Sequence, residues 1–464
     1  MNIKSLKTIT FVFLLINTII ACSKKEDDTN EQQNSTENRN PLIHIGETTN
    51  DRLTANEERF YTNKIPNKEL TVTLNGNCNT LDSGILNDEI ESLSKGGGGI
   101  IRIQKGSYCL RDIVLRSNIH LKIDPDVIIE PDLSGDVRNK NITIFVIGED
   151  FYIENVAITN IDEDNKDKST WFTANIPEGE YGGVKFIEFG NVKNFKLSGL
   201  FLTDNYSKFS NIVLNLPASL KTSEVSTKGI IKNIFMTNMH VGYGVIQMQT
   251  GKTILCKNIS GEGGITMRVE TGAAGTNMVN EKTVDDIVVR NVSIKNGDAA
   301  MNFSPHRVDQ GRVDVEKVVA INATHAIQVA AGFLDNNKDG VDNLGTFDSK
   351  SYIGDITVTG GYGAQIKGKD YKYFSCEKRK ELIEKCTNPD DESVTSSSIG
   401  VVRDNSSIGG GCDNGSEGGC YEIIIGTITK TNKDFVLEEF YTHPSNEIKG
   451  CPKIDKPTEG NCNM

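Results

Sequence analysis

Apolar and polar residues alternate with a period of two through the central part of this chain, and helical periodicity is nearly absent there. Three stretches show the alternation best: YGVIQMQTG (243–251), GGITMRVETG (263–272) and AAMNFSPH (299–306). In the first, Ile246 and Met248 point one way while Gln247 and Gln249 point the other. In the second, Met267 and Val269 oppose Arg268 and Glu270; in the third, Met301 and Phe303 oppose Asn302 and Ser304, with His306 following Pro305. Each reads as a half-buried β-strand. Stacked in parallel, the three predict a polar ladder of Gln247, Arg268, Glu270, Asn302 and His306 on one outer face. An acid, a guanidinium, an imidazole and amides on one face have the make-up of an active-site groove.

A loose repeat runs through the same region: YIENVAITN (152), VKNFKLSGL (192), IKNIFMTNM (231), LCKNISGEG (255), VVRNVSIKN (288), VEKVVAINA (315) and IGDITVTGG (353). Short strands with Asn and Gly at their corners mark a solenoid, in which stacked Asn side chains satisfy the backbone at the turns. Upstream, LDSGILNDEIESLSK (81–95) places Leu86, Ile90 and Leu93 on one helical face, with Asp82 or Ser83 as a cap. A helix of this kind covers the open apolar end of the first coil and blocks edge pairing. The helix, the glycine run 96–99 and the paired strands around Lys105-Gly106-Ser107-Tyr108 resemble the opening of right-handed β-helix carbohydrate enzymes. The expected fold is all-β, a right-handed parallel β-helix of the pectin-lyase-like type over residues 67–370.

After Phe333 the pattern breaks. Asp335, Asn337 and Asp339 stand at alternate positions before Gly340, as at the start of a calcium loop within 332–350. Thr346 occupies the place where an EF-hand needs Glu, so a structural Ca2+ site and a plain polar turn are both open readings. Residues 371–420 read as a Cys-, Ser- and Gly-rich insertion, and 421–464 as a final strand with a disulfide-pinned tail. Close spacing suggests the pairs Cys376–Cys386, Cys412–Cys420 and Cys451–Cys462, with Cys78–Cys109 across the first coil. Cys256, left over, reads as a small buried apolar residue.

The N-terminus reads as an address. Lys4 and Lys7 precede an apolar run from Ile9 to Ile20, which ends at Ala21-Cys22. Residues 1–21 are expected to be a secretory signal. Cys22 resembles the lipidated cysteine of a bacterial lipobox, and the run is too short to span a bilayer comfortably. Ser23-Lys24-Lys25-Glu26-Asp27-Asp28 is similar to the export tag of Bacteroidetes surface lipoproteins, so a surface-exposed outer-membrane lipoprotein is expected. Residues 22–66, rich in Asn, Glu, Gln and Thr, read as a flexible tether. The full chain carries −13; removing Lys4 and Lys7 leaves −13 − 2 = −15. That balance argues against a nucleic-acid partner, and a polyanionic substrate needs a local basic patch. Nothing in the sequence calls for more than a monomer.

MHVGYGVIQMQTG, GEGGITMRVETG and NFSPH together resemble glycoside hydrolase family 82, the ι-carrageenases, from about Met239 to Phe333 and more weakly back to the capping helix. The resemblance implies endo-hydrolysis of β-1,4 bonds in a sulfated red-algal galactan with inversion. By position it makes Glu270 the general acid, and Gln247 a residue that helps place water and an ion (chloride or sodium). It makes Gly244 a glycine lining the same spot, and His306 the active-site histidine. One departure stands out: the family's proposed base, an Asp two residues after the acid, is replaced by Gly272. Residues i and i+2 of a strand lie about 6.6 Å apart, at the short end of the roughly 6.5–9.5 Å that admits an attacking water. Asp335 and His306 are the candidate replacements, and no cofactor is required.

Each choice has a plainer reading. Arg268 reads equally as the partner of Glu270, which would lower that acid's pKa and hinder proton donation; turned to substrate, its fork suits sulfate instead. Gln249 and Asn302 are further substrate-binding candidates, with Arg290, Arg307 and Arg312 added as sulfate-binding candidates on composition alone. Two other functions compete with hydrolysis. One is a non-hydrolytic sulfated-glycan-binding surface lipoprotein; the other is a pectate-type enzyme on the same scaffold, for which no paired aspartates or Gly-His-Gly segment is found.

Overall fold

Residues of period two form strands that lie on the equivalent strand of the next coil, always in parallel. The computed structural model describes residues 52–452 except 65, 77, 79–80, 136, 139, 180–181, 217–223, 272–280, 335–343, 386–392, 408–411 and 413–418. Register links Leu70, Ile101, Leu121, Ile158, Leu197, Ile231, Cys256, Val289, Val315, Ile353 and Ile425 into one column. From Ile101 to Ile425 every member is buried in the same apolar core. Burying such a side chain contributes about 1.5–3 kcal/mol. All seven repeat segments of the sequence supply rungs of this face. Cys256 occupies one of them, fully buried and unpaired, so it serves as the small apolar residue expected.

The repeated asparagines make one corner. Asn118, Asn155, Asn194, Asn233, Asn258 and Asn291 all have φ between 56° and 62°, the left-handed region that Asn tolerates better than most residues. Their amides form a ladder: Asn155 donates to Asn118 (2.9 Å), Asn194 to Asn155 (2.9 Å), Asn258 to Asn233 (2.8 Å) and Asn291 to Asn258 (2.9 Å).

The helix Leu81–Lys95 caps the first coil with Leu86, Ile90 and Leu93 buried. Neither expected N-cap acts as one. Asp82 accepts from the backbone N–H groups of Asn75 (2.6 Å) and Gly76 (3.0 Å), and Ser83 from Arg111 (3.0 Å). Both are buried and bind the helix to neighbouring chain, because the helix already begins at Leu81, ahead of both.

The tether ends sooner than residue 66. Residues 52–61 lie as a strap over several coils: Phe60 and Tyr61 pack on Ile230, Leu255 and Val288. Arg52 pairs with Asp314, Arg59 with Asp286, and Glu57 with Lys232 and Lys257 (2.9 Å each). Arg52, Glu57 and Arg59 look like linker composition, but each meets an opposite charge on a coil. The signal, Cys22 and the export tag lie outside the described residues. Among the described residues, no helix is long and apolar enough to cross a membrane.

The region read as an insertion at 371–420 is divided differently. A hairpin of Tyr362–Lys367 and Ser393–Ser397 with the helix Cys376–Lys385 forms a lobe around Ile366, Tyr371, Tyr373 and Leu382. The strand Val402–Asp404 then returns to the main sheet beside His325–Val329. Cys78–Cys109 and Cys412–Cys420 are bonded as expected, but Cys376 pairs with Cys451 across 75 residues. That excludes Cys376–Cys386 and Cys451–Cys462. The tail doubles back onto the lobe, where Ile448 N–H donates to Lys372 O (3.0 Å), so proximity in space overrides proximity in sequence. Cys386 and Cys462 lie outside the described residues.

Candidate active site

The ladder forms in register. Gln247 at the end of the strand Thr227–Met248 lies beside Arg268 in the strand Gly251–Glu270, which lies beside Asn302 in the strand Ala299–Ser304. Met267, Val269, Met301 and Phe303 fill the core on the opposite face. Glu270 is opposite Ser304, so His306 stands beyond the end of its strand rather than on a rung. Its backbone turns into the left-handed region (φ 51°), and its carbonyl accepts from the N–H groups of Phe333 and Gly345 (2.8 Å each). That turn carries the imidazole back to the acid: Nε2 is 3.5 Å from Glu270 Oε1. The ring lies against Phe333, with centroids 4.2 Å apart.

Glu270 is 17 % exposed and in contact with Arg268, which is 12 % exposed. Burial alone would raise its pKa; Arg268 first and His306 second overcome that and hold it down to about 2. In the free protein Glu270 is therefore a carboxylate, as the plainer reading of Arg268 required. Arg268 spends only part of its fork on this pair. Its Nε and Nη1 are buried with no hydrogen-bond partner among the described residues, and its guanidinium sits 5.5 Å from the centre of the Tyr243 ring.

Gln247 and Gln249 are 8 % and 7 % exposed, Asn302 is half-buried, and Arg307 is buried beside His306. Gly244 has a structural need for its missing side chain, since a Cβ there would lie 1.6 Å from the Ile265 carbonyl oxygen. Two composition-based choices fall elsewhere. Arg290 pairs with Asp314 (3.1 Å) and Glu316 (3.1 Å) and donates to Leu53 O, and Arg312 reaches Asp314 (3.4 Å). Both are taken up by the carboxylates beneath the strap, not by the groove. Gly272, Asp335, Asn337 and Asp339 lie outside the described residues, and with them the base position and the calcium-like loop.

Sequence reasoning passed over part of this face. The row Gln247, Arg268, Asn302 continues through Gln328 to Arg403. The signal was present in AIQVA and VVRD, where the same alternation puts Gln328 and Arg403 outward. Phe333, 41 % exposed against His306, marks in the sequence only the point where the pattern ends.

No protein-family model matches the chain. The ι-carrageenase of Zobellia galactanivorans is 30% identical over 352 residues, which span 74% of this chain and 70% of that protein. The ι-carrageenase of Alteromonas macleodii is 29% identical over 262 residues, 56% of this chain and 52% of that one. Among solved structures, the family GH82 ι-carrageenase from A. fortis superposes with a TM-score of 0.73 at 21% identity, covering 89% of this chain and 96% of that chain. The chain belongs to the ι-carrageenase family, glycoside hydrolase family 82, and is a glycoside hydrolase.

Proposed function

We propose that this protein cleaves internal β-1,4 bonds of a sulfated red-algal galactan, ι-carrageenan or a close relative, with inversion and with Glu270 as general acid. The observation that carries this reading is the partly buried Glu270–Arg268–His306 cluster on the outward face, whose carboxylate is the one that the sequence resemblance makes the acid. A general acid must hold a proton, and in the free protein Arg268 denies it one. A sulfate ester offers the guanidinium a further partner, since its oxygens can take the two nitrogens that Glu270 leaves idle. Once Arg268 turns to sulfate, burial becomes the main influence on Glu270 and the carboxyl takes up the proton that it later gives to the leaving oxygen.

Inversion needs a base across the sugar from the acid, with carboxyl groups roughly 6.5–9.5 Å apart. His306, at 3.5 Å from Glu270, is too close for that place and instead tunes and orients the acid. Asp335 is the favoured base: it follows Phe333, whose ring packs on His306. The chain's place of action is the outer-membrane surface, anchored through Cys22.

Incubating purified protein with ι-carrageenan and following reducing ends, oligosaccharide size and the anomer first released tests the reading. We expect new ends from wild type, the inverted anomer first, and a loss of about 10³-fold or more in Glu270→Gln. No new ends from wild type, or equal rates in the variant, would overturn it.

A further inference from the structure

We propose a second anion site on this groove, formed by Lys367, Lys369 and Arg403, which takes a sulfate ester of the glycan several sugars away from the cleavage point. The inference rests on the functional reading above and extends it to binding. Register places Arg403 on the same outward row as Arg268, three strands along through Asn302 and Gln328. At about 4.8 Å per strand this is roughly 14 Å down the solenoid.

The local charges do not cancel. Lys367 pairs with the buried Asp298 (2.7 Å), and Arg403 with the buried Asp370 (3.1 Å). Gln328 ties the two pairs together, donating to Asp298 (2.6 Å) and accepting from Arg403 (2.7 Å). Two cations thus meet two carboxylates, and Lys369 remains, exposed and with no ion pair among the described residues. The charge of Arg403 first, partial loss of solvation around the ammonium second and Lys367 third push it down to about 8. Crowding a third cation here costs free energy that a bound monoanion would recover. Arg403 adds a second sign: it is 8 % exposed, and its Nε is buried with no partner among the described residues. A sulfate ester carries one negative charge and several acceptor oxygens, which matches one surplus cation and one idle guanidinium N–H.

Lys369 is the clean probe, because removing Lys367 or Arg403 would strand a buried carboxylate. Binding of ι-carrageenan to wild type, Lys369→Ala, Lys369→Glu and Lys369→Arg is measured by calorimetry, with circular-dichroism melting as the fold control. We expect affinity to fall about 3- to 5-fold in Lys369→Ala and further in Lys369→Glu, with Lys369→Arg close to wild type. On chemically desulfated galactan the four proteins should bind alike. Equal binding of sulfated polymer by wild type and Lys369→Glu overturns the site, as does an equal loss on desulfated polymer. Inorganic sulfate shifting the Lys369 side-chain NMR signal while the polymer leaves it unmoved also overturns it, in favour of a small-anion site. These readouts are independent of turnover: a wild type that binds through Lys369 without producing new ends removes the hydrolase reading and leaves the site standing.

Discussion

Replacing Arg268 by Ala removes the first of the groups that hold Glu270 ionised, and the structure sets the size of the effect. The carboxyl is held at about 2 against an ordinary 4.5, a gap of about 2.5 pH units. At about 1.4 kcal/mol per unit that gap is roughly 3 kcal/mol, the net of Arg268 and His306 acting against burial. Because the folded value lies below the unfolded one, the stabilisation is present above about pH 4.5 and is lost as pH falls towards 2. In the variant, burial acts with only His306 to oppose it, so the carboxyl titrates at a higher pH. Two measurements follow: a ¹³C NMR titration of the Glu270 carboxyl in both proteins, and their unfolding midpoints in denaturant from pH 2 to 7. The variant should be weaker by about 2–3 kcal/mol near neutrality, and the difference should close towards pH 2. A Glu270 that titrates at the same pH in both proteins, or a stability gap that does not change with pH, would refute the electrostatic account.

Three further substitutions test the scaffold. Phe60→Ala unseats the strap from Ile230, Leu255 and Val288 and should cost about 3–5 kcal/mol; an unchanged unfolding midpoint would mean that the strap does not hold the coils. Cys256→Val should cost under about 1.5 kcal/mol and Cys256→Ser about 1–3 kcal/mol. Burial pushes this thiol up to about 12, so a disulfide reagent should label it only on unfolding, and fast labelling of the native protein would contradict its place in the column. Gly244→Ala should disrupt the end of its strand through contact with Ile265, and a variant with wild-type melting and binding would show that the backbone there yields.

The fold was legible because a solenoid converts sequence period into spatial column. The seven repeat segments become rungs of one face, and Cys256 reads correctly because Ile231 and Val289 flank it in the stack. What failed was anything decided between coils rather than along one. Asp82 and Ser83 look like caps locally, yet their partners come from other segments. Cys376 finds Cys451 only because the tail doubles back, and Arg290 finds Asp314 only because residues 313–321 lie beside 284–295. His306 shows both sides. Its alternation with Asn302 and Ser304 marked it as outward, while the left-handed turn that brings it to Glu270 has no signature in the sequence. Arg403 was lost for another reason: Cys, Ser and Gly around it looked like an insertion, and a strand of only three residues carries too little alternation to stand out.

The same cluster predicts where sulfation should matter in the kinetics. A neutral galactan leaves Arg268 on Glu270, and a carboxyl held at about 2 offers almost no protonated acid at neutral pH. On the proposed reading a sulfated chain should draw the guanidinium away, and the carboxyl should then gain its proton within the complex. The sulfate near the cleavage point therefore contributes to kcat, because its effect is exerted on the acid after binding. A sulfate at the distant Lys369 touches no reacting group, so its loss should raise KM and leave kcat alone. Graded desulfation of the substrate, followed by separate kcat and KM values for wild type and Lys369→Ala, distinguishes the two. If desulfation raised only KM in wild type, Arg268 would be a binding residue alone, and Glu270 would need another route to its proton.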